Sequence, residues 1–391
     1  MRTFDYSFDI NSYMPKERFA KIKEFASDKN TPFLVISLSV VAQKYDDLKK
    51  SMPYADVYYA IKANPKEEIL SLLAERGSNF DIASTHELDL LLKLGISPDR
   101  MSYGNTIKKS EDIRYAYEKG VRLFATDAES DVRKLALNAP QSDVFFRILT
   151  NGIGADWPLS RKFGAQPDVV FRDILLAKEL GLNPRGISFH VGSQQNDVTQ
   201  WREPLSTCKM LFDAAKEQGI ALDLVNIGGG LPAHYNQPVE ETYVYAAEVT
   251  DYMSEFFGSE FPRVIIEPGR YLVGDAGVLV SEVVMISHKE HDSGIPWLYV
   301  DIGKFGGLIE TMDESIKYPI YTERAGEVNN YIIAGPTCDS ADILYETMQY
   351  RLPSSLEEGD RLYFLTTGAY TQTYSAVFFN GIPPLKAYVI D

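Results

Sequence analysis

Lys62 closes an apolar run, Val57-Tyr58-Tyr59-Ala60-Ile61, and is followed by Ala63-Asn64-Pro65. An amine so placed is either a solvated lysine at a strand edge or one partly desolvated among apolar neighbours. Desolvation lowers an ammonium pKa and makes the amine a competent Schiff-base nucleophile. Gly228-Gly229-Gly230 also has two readings. Three glycines let successive backbone N–H groups turn toward an anion without Cβ obstruction, or they form a tight turn and nothing more. Arg270 offers a planar guanidinium fork suited to a phosphate, and Ser193 a hydroxyl donor for the same anion.

Glu267 follows the apolar run Val264-Ile265-Ile266, and a carboxylate there is costly unless a cation or strong donor meets it. Arg270 is one partner, and a protonated pyridine nitrogen would serve as well. His190, in FHVGSQ, is a structural histidine or a flat ring packed on an aromatic ligand. The five histidines are scattered without HxH or HExxH spacing, so no metal is expected. Cys338 and Asp339 lie in GPTCDSAD, a polar, turn-rich block that suits an active-site loop better than a core, although an isolated Cys is often a small buried hydrophobe. Cys208, on an apolar helix face, fits that second description.

These residues need a frame. From residue 56 onward, short β-branched or aromatic runs alternate with amphipathic stretches. The runs are 56–63, 79–84, 100–105, 122–127, 144–149, 186–193, 224–230 and 263–269, and 66–77, 86–95, 110–120 and 207–219 are helical by periodicity. Eight strand–helix alternations predict an α/β fold, a (β/α)8 TIM barrel, over 42–275. A doubly wound open sheet is the runner-up, but no GxGxxG follows the first strand. The carboxyl ends of these runs carry Lys62, Asp81, Asn105, Asp127, Arg147, His190, Gly228–Gly230 and Glu267 with Arg270. Active sites of such barrels form at that end. Residues 1–41 and 276–391 predict a second, all-β domain of antiparallel strands carrying the Cys338 loop, with an isolated strand at 31–41.

The chain has 391 residues, of which 45% are hydrophobic, enough to bury a full core. With 39 basic and 55 acidic residues its net charge is −16, which argues against nucleic acid or an anionic membrane as partner. No signal-peptide core and no membrane-length apolar run is present. Two distant cysteines without metal-ligand spacing point to a reducing, cytoplasmic setting without disulfides.

Seven motifs, YAIKANP, FDIAS, FHVGSQ, IGGG, EPGRY, GPTCDSAD and GAYT, occur in that order across nearly the whole chain. Together they resemble the fold-type III pyridoxal 5′-phosphate (PLP) decarboxylases, the alanine-racemase-like barrel group, and most closely its ornithine and ornithine/lysine decarboxylases. The resemblance implies that Lys62 holds PLP as a Schiff base, that His190 stacks on its ring and that Glu267 keeps the pyridine nitrogen protonated. Ser193, Gly228, Gly229, Gly230, Pro268, Gly269, Arg270 and Tyr370 would surround the phosphate, and Asp81, Glu87 and Arg147 would support Lys62 and the ring. Cys338 would return a proton to the substrate carbon across a head-to-tail homodimer interface, so that active sites are shared. Asp339 and Asp313 would pair with the distal ammonium of a basic amino acid, ornithine first and lysine second, yielding putrescine or cadaverine.

Diaminopimelate decarboxylase shares the barrel, but its Cys motif typically continues with Glu, where Asp339 stands here. A non-enzymatic regulatory homologue would have lost positions that this chain keeps. A cofactor-free Schiff-base aldolase would leave Gly228–Gly230, Glu267 and Cys338 without a task. Ornithine and lysine differ by one methylene, worth about 1–3 kcal/mol in a pocket, so dual activity is a live expectation.

Overall fold

The structure is a computed structural model and describes residues 3–4, 9–158, 161–289 and 294–391; within the amino-terminal stretch read for a leader, residues 1, 2 and 5–8 lie outside these. The chain divides into two compact units, Ala42–Pro232 with Glu240–Tyr271, and Met1–Val41 with Ala233–Val239 and Leu272–Asp391. The second unit thus begins at Leu272 rather than 276 and takes in a short piece from the middle of the chain.

Helix α1 (Lys16–Ala26) and strand β1 (Phe33–Ser37) lead into helix α2 (Leu38–Ser51). The strand expected over 31–41 therefore ends early. Val41, Tyr45, Leu48 and Met52 are all buried and repeat at helical spacing, so the 3.6-residue period wins over β propensity from Leu38 onward.

The first unit is a closed barrel. Its strands are β2 (Ala55–Ala60), β3 (Asn79–Ile82), β4 (Met101–Tyr103), β5 (Leu123–Thr126), β6 (Asp143–Arg147), β7 (Asn183–Ser188), β8 (Leu224–Asn226) and β9 (Arg263–Ile266). Every neighbouring pair is parallel, and β9 closes on β2 with Val264 opposite Ala55. Tyr58, Leu123, Ala125, Phe145, Leu224 and Ile265 pack as one buried cluster. Each large apolar side chain buried this way contributes about 1.5–3 kcal/mol.

The crossovers are α3 (Glu67–Glu75), α4 (Thr85–Lys93), α5 (Ser110–Glu118), α6 (Glu129–Asn138), α7 (Pro167–Glu179), α8 (Arg202–Glu217) and α9 (Thr242–Phe257), with the short α10 (Arg270–Val273) after β9. Their apolar stripes face inward: α3 buries Ile69, Leu70 and Leu73, and Gly77 (φ +86°) follows it in a left-handed turn. Several strands are shorter than their apolar runs. Lys62, His190 and Glu267 stand one or two positions beyond the sheet, whereas Asp81 and Arg147 lie in its strands.

The second unit is mostly β, with α1 packed on it. Its further strands are β10 (Gly277–Ser287), β11 (Trp297–Val300), β12 (Ile320–Tyr321), β13 (Val328–Ala334), β14 (Ile343–Pro353), β15 (Arg361–Leu365) and β16 (Lys386–Ile390). Most pairs are antiparallel, as expected, but β11 with β13, β1 with β16, and β14 with the two-residue strand Thr3–Phe4 are parallel. None of these is a hairpin. The first is joined by a long connection through β12, and the second brings strands from opposite ends of the chain, so no tight turn dictates direction. Among the described residues no helix is long and apolar enough to cross a membrane.

Candidate active site

Lys62 sits in the single 3-10 turn Ile61–Ala63 just past β2. The turn is tied down by the Tyr59 hydroxyl, which donates to the Asn64 carbonyl at 2.8 Å, and by the Ala60 N–H, which donates to the Pro268 carbonyl at 3.2 Å. Lys62 is exposed, whereas a desolvated amine was one of the two expectations. Its surroundings are charged instead.

Asp81 in β3 is buried, and its pKa lies well above the usual carboxylate range. Burial is the main cause, the Glu267 charge adds to it, and the Lys62 ammonium opposes it. The Ser102 hydroxyl donates to Asp81 Oδ1 at 3.3 Å. Gly104 makes the room: a Cβ there would fall 1.9 Å from Asp81 Oδ1. Glu87 caps α4 reciprocally with Ser84, whose Oγ accepts the Glu87 N–H at 3.3 Å while Glu87 Oε2 accepts the Ala83 N–H at 2.6 Å. Burial raises the Glu87 pKa, and the Ala83 hydrogen bond and Lys62 pull against it. The charges of Lys62 and of the Asp81 and Glu87 carboxyl groups thus act on one another.

His190 lies two residues beyond β7. Its Nδ1 accepts the Gly192 N–H at 3.0 Å, so the neutral ring carries its proton on Nε2. Burial, then the charges of Arg147 and Lys62, push its pKa well below 6.5. The ring is a neutral, flat surface. Arg147, the last residue of β6, is pushed down by burial and held up by Glu267, Asp127 and Asp81. Its guanidinium lies 4.9 Å from the Phe163 ring centroid. Asn105 and Asp127 belong to the scaffold: Asn105 bonds to Ala83 and Ile107, and Asp127 accepts the Gly164 N–H at 2.8 Å.

Glu267 follows β9 directly. Its N–H donates to the Gly228 carbonyl at 2.8 Å, and its Oε1 accepts from Asn226 Nδ2 at 2.5 Å. Gly228 has φ +67°, and a Cβ there would fall 2.2 Å from the Phe189 carbonyl; at Gly229 a Cβ would meet the Glu267 carbonyl at 2.6 Å. No other residue type fits these two positions. Buried Arg270 opens α10 and donates through Nε to Ser193 Oγ at 3.1 Å. Ser193, Gly228–Gly230, the Pro268-Gly269 backbone and Arg270 therefore converge on the ends of β7, β8 and β9.

In the β unit, Cys338 is exposed and free, and its N–H donates to Asn380 Oδ1 at 2.9 Å. Asp339 is exposed and its Oδ1 accepts the Ala341 N–H at 2.9 Å. The organiser of this loop is Asp342, which the sequence reading passed over although it ends the GPTCDSAD block. Its carboxylate accepts the Lys304 N–H at 2.7 Å, the Thr337 N–H at 3.2 Å and the Thr337 hydroxyl at 2.7 Å. Asp342→Ala is expected to cost about 1–3 kcal/mol by stranding these donors. Thermal melting checks this, and an unchanged midpoint would remove Asp342 from the role. Asp313 has φ +52°, next to Glu314, whose carboxylate accepts the N–H groups of Glu346, Thr347 and Met348 at 2.7, 2.7 and 2.8 Å. Asp313 lines an open groove of about 530 Å³ with Glu314, Glu346 and the Ser340–Ala341 backbone. Tyr370, with φ +55°, stacks on Tyr374 at 6.1 Å.

The sequence model of the pyridoxal-dependent decarboxylases, pyridoxal binding domain, matches residues 38–274. The chain belongs to this family. The lysine/ornithine decarboxylase of Selenomonas ruminantium is 35% identical over 363 residues, covering 92% of this chain and 90% of the relative. The crystal structure of SrLDC in complex with PLP and cadaverine matches at a TM-score of 0.86 and 32% identity, over 100% of this chain and 95% of that one. Lysine/ornithine decarboxylase from Vibrio vulnificus, complexed with cadaverine, matches at 0.87 and 29% identity, over 96% and 99%.

This pyridoxal-dependent decarboxylase uses PLP, and its donor set fits that group. Gly228–Gly230 offer backbone N–H groups beside the Arg270 guanidinium and the Ser193 hydroxyl, a set suited to a phosphate. Glu267 offers a carboxylate for a pyridinium, His190 a neutral ring, and Lys62 an amine.

Proposed function

We propose that the protein decarboxylates L-ornithine to putrescine and CO2, in polyamine synthesis, and takes L-lysine to cadaverine as its second reaction. The observation that carries this reading is the similarity, across nearly the full chain, to enzymes named for lysine and ornithine. Two solved relatives hold cadaverine, which favours the second reaction.

PLP, when bound, supplies an electron sink for the pair left at the substrate α-carbon as CO2 departs. Lys62 would hold the cofactor through its amine. Glu267 would hold a proton at the pyridine nitrogen, and His190 would offer its neutral ring as a packing face. Ser193, Gly228–Gly230, Pro268, Gly269, Arg270 and Tyr370 bind the phosphate. Asp81, Glu87 and Arg147 set the charge around Lys62. Cys338 of a partner subunit returns a proton to the α-carbon, and Asp339 and Asp313 receive the distal ammonium, in keeping with the acidic groove that Asp313 lines.

The substrate reading is tested by competition. Protein with added PLP is given equal ornithine, lysine, arginine and diaminopimelate, and the amines formed are quantified. Putrescine, alone or with cadaverine, is the expected product; lysine formed from diaminopimelate would overturn the reading. The shared site is tested by subunit exchange. Lys62→Ala and Cys338→Ala chains are each expected to be inactive. Random mixing makes half of the dimers mixed with one intact site each, so about one quarter of the wild-type sites should return. No recovery after verified exchange would place Cys338 outside a shared site.

A further inference from the structure

Asn226, the last residue of β8, is fully buried, and its side-chain amide has only one orientation available. The Gly228 N–H donates to Asn226 Oδ1 at 2.9 Å, and only an acceptor can face a backbone N–H. That choice fixes Nδ2 toward Glu267, where it donates to Oε1 at 2.5 Å. The clamp has a second jaw, since the Glu267 N–H donates to the carbonyl of the same Gly228 at 2.8 Å. Backbone and carboxylate of Glu267 are thus both registered to the Asn226–Gly228 segment.

We infer that Asn226 is the positioning residue of Glu267, holding its carboxylate as an acceptor aimed at the pyridine nitrogen of PLP. The inference rests on the reading of Glu267 given above. The physical reason is that a donor fixed on Oε1 occupies that oxygen as an acceptor. A proton shared between Glu267 and a ligand nitrogen then has only Oε2 to move to, and it stays on the ligand side more readily. Arg147 at the end of β6 and Asp81 in β3, of opposite sign, interact with the Glu267 charge. Asn226 adds a neutral, directional donor.

Three variants test this in the PLP-loaded protein and in the apoprotein titrated with PLP. Asn226→Leu keeps the branched shape and removes both the donor to Glu267 and the acceptor for the Gly228 N–H, and kcat is expected to fall about 10–100-fold, the range typical of partners that orient a site ligand. In a Glu267→Gln background the same change is expected to cost almost nothing further, because it acts through Glu267. Asn226→Asp is the rescue variant: protonated, it donates to Glu267 as the amide does, and ionised, it repels it. Its kcat and the absorption spectrum of bound PLP should stay near wild type at acidic pH and depart from it as pH rises through the introduced carboxyl, while the wild type shows no such limb.

Costs that multiply in the double variant, or weaker PLP binding and a lower melting point with kcat unchanged, would overturn the inference and leave Asn226 a packing residue. An aspartate variant without the alkaline limb would do the same. If Glu267→Gln itself leaves both kcat and the spectrum of bound PLP unchanged, the reading of Glu267 fails first, and that failure is distinct from this one.

Discussion

Lys62→Ala is expected to abolish covalent attachment of PLP to the chain and to lower kcat by about 10²–10⁴-fold, the range for losing a positioned proton-transfer group. The readout is borohydride reduction followed by peptide mass analysis. The wild type should carry the cofactor's mass on the peptide containing Lys62, and the variant should carry none. The same adduct on another lysine would remove Lys62 from the role. Stability should also shift, in a known direction. Lys62 opposes the elevation of the Asp81 and Glu87 pKa values, so its loss sends both higher. A carboxyl whose folded pKa is raised favours the folded state at low pH, and that benefit disappears as pH climbs through the folded value. Relative to wild type, the variant should hold its stability in acid and lose it toward neutrality.

Glu267→Gln should leave PLP covalently bound and reduce kcat by about 10²–10³-fold, the cost of removing one preorganised electrostatic partner. The change is isosteric, and the glutamine carbonyl can still accept from Asn226 Nδ2, so the backbone clamp at Gly228 should persist. What disappears is the negative charge that, in the proposed role, holds a proton on a pyridine nitrogen. The melting point should therefore barely move while kcat collapses. Loss of PLP or of the fold together with kcat would recast Glu267 as a structural residue.

The barrel was legible because its signal is periodic. Eight β-branched runs separated by amphipathic helices admit few other folds, and all eight strands overlap the expected stretches, although those at Ala55 and Asp143 start one residue early and the one at Asn183 starts three early. The strand ends were less legible. His190 and Gly228–Gly230 were read as strand residues, but the sheet stops at Ser188 and Asn226, because apolar runs continue into turns that pack against the barrel mouth. The exposure of Lys62 stayed open between two readings, since it depends on where the Ile61–Ala63 turn points. Asn226, Asp342 and Gly104 were missed. Each acts through a partner far away in sequence, Glu267, Lys304 and Asp81 respectively, and no local pattern announces such a pair. In the β unit, strand direction failed for three pairs, none of them joined by a hairpin.

Strand β1 carries a consequence for how the chain comes off the ribosome. Phe33 is among its first residues to be made, yet it pairs with Val280 on one side and Lys386 on the other. The barrel segments from Ala42 to Tyr271 are complete well before either partner has been synthesised. Domains generally fold as units during synthesis, and a strand waiting for distant partners leaves an unpaired edge exposed. The apolar sequence Phe33-Leu34-Val35-Ile36 must therefore be shielded throughout translation, and it is satisfied only when the last strand arrives. A ribosome stalled or a chain clipped before Lys386 would leave one side of this short strand unpaired, an edge open to aggregation.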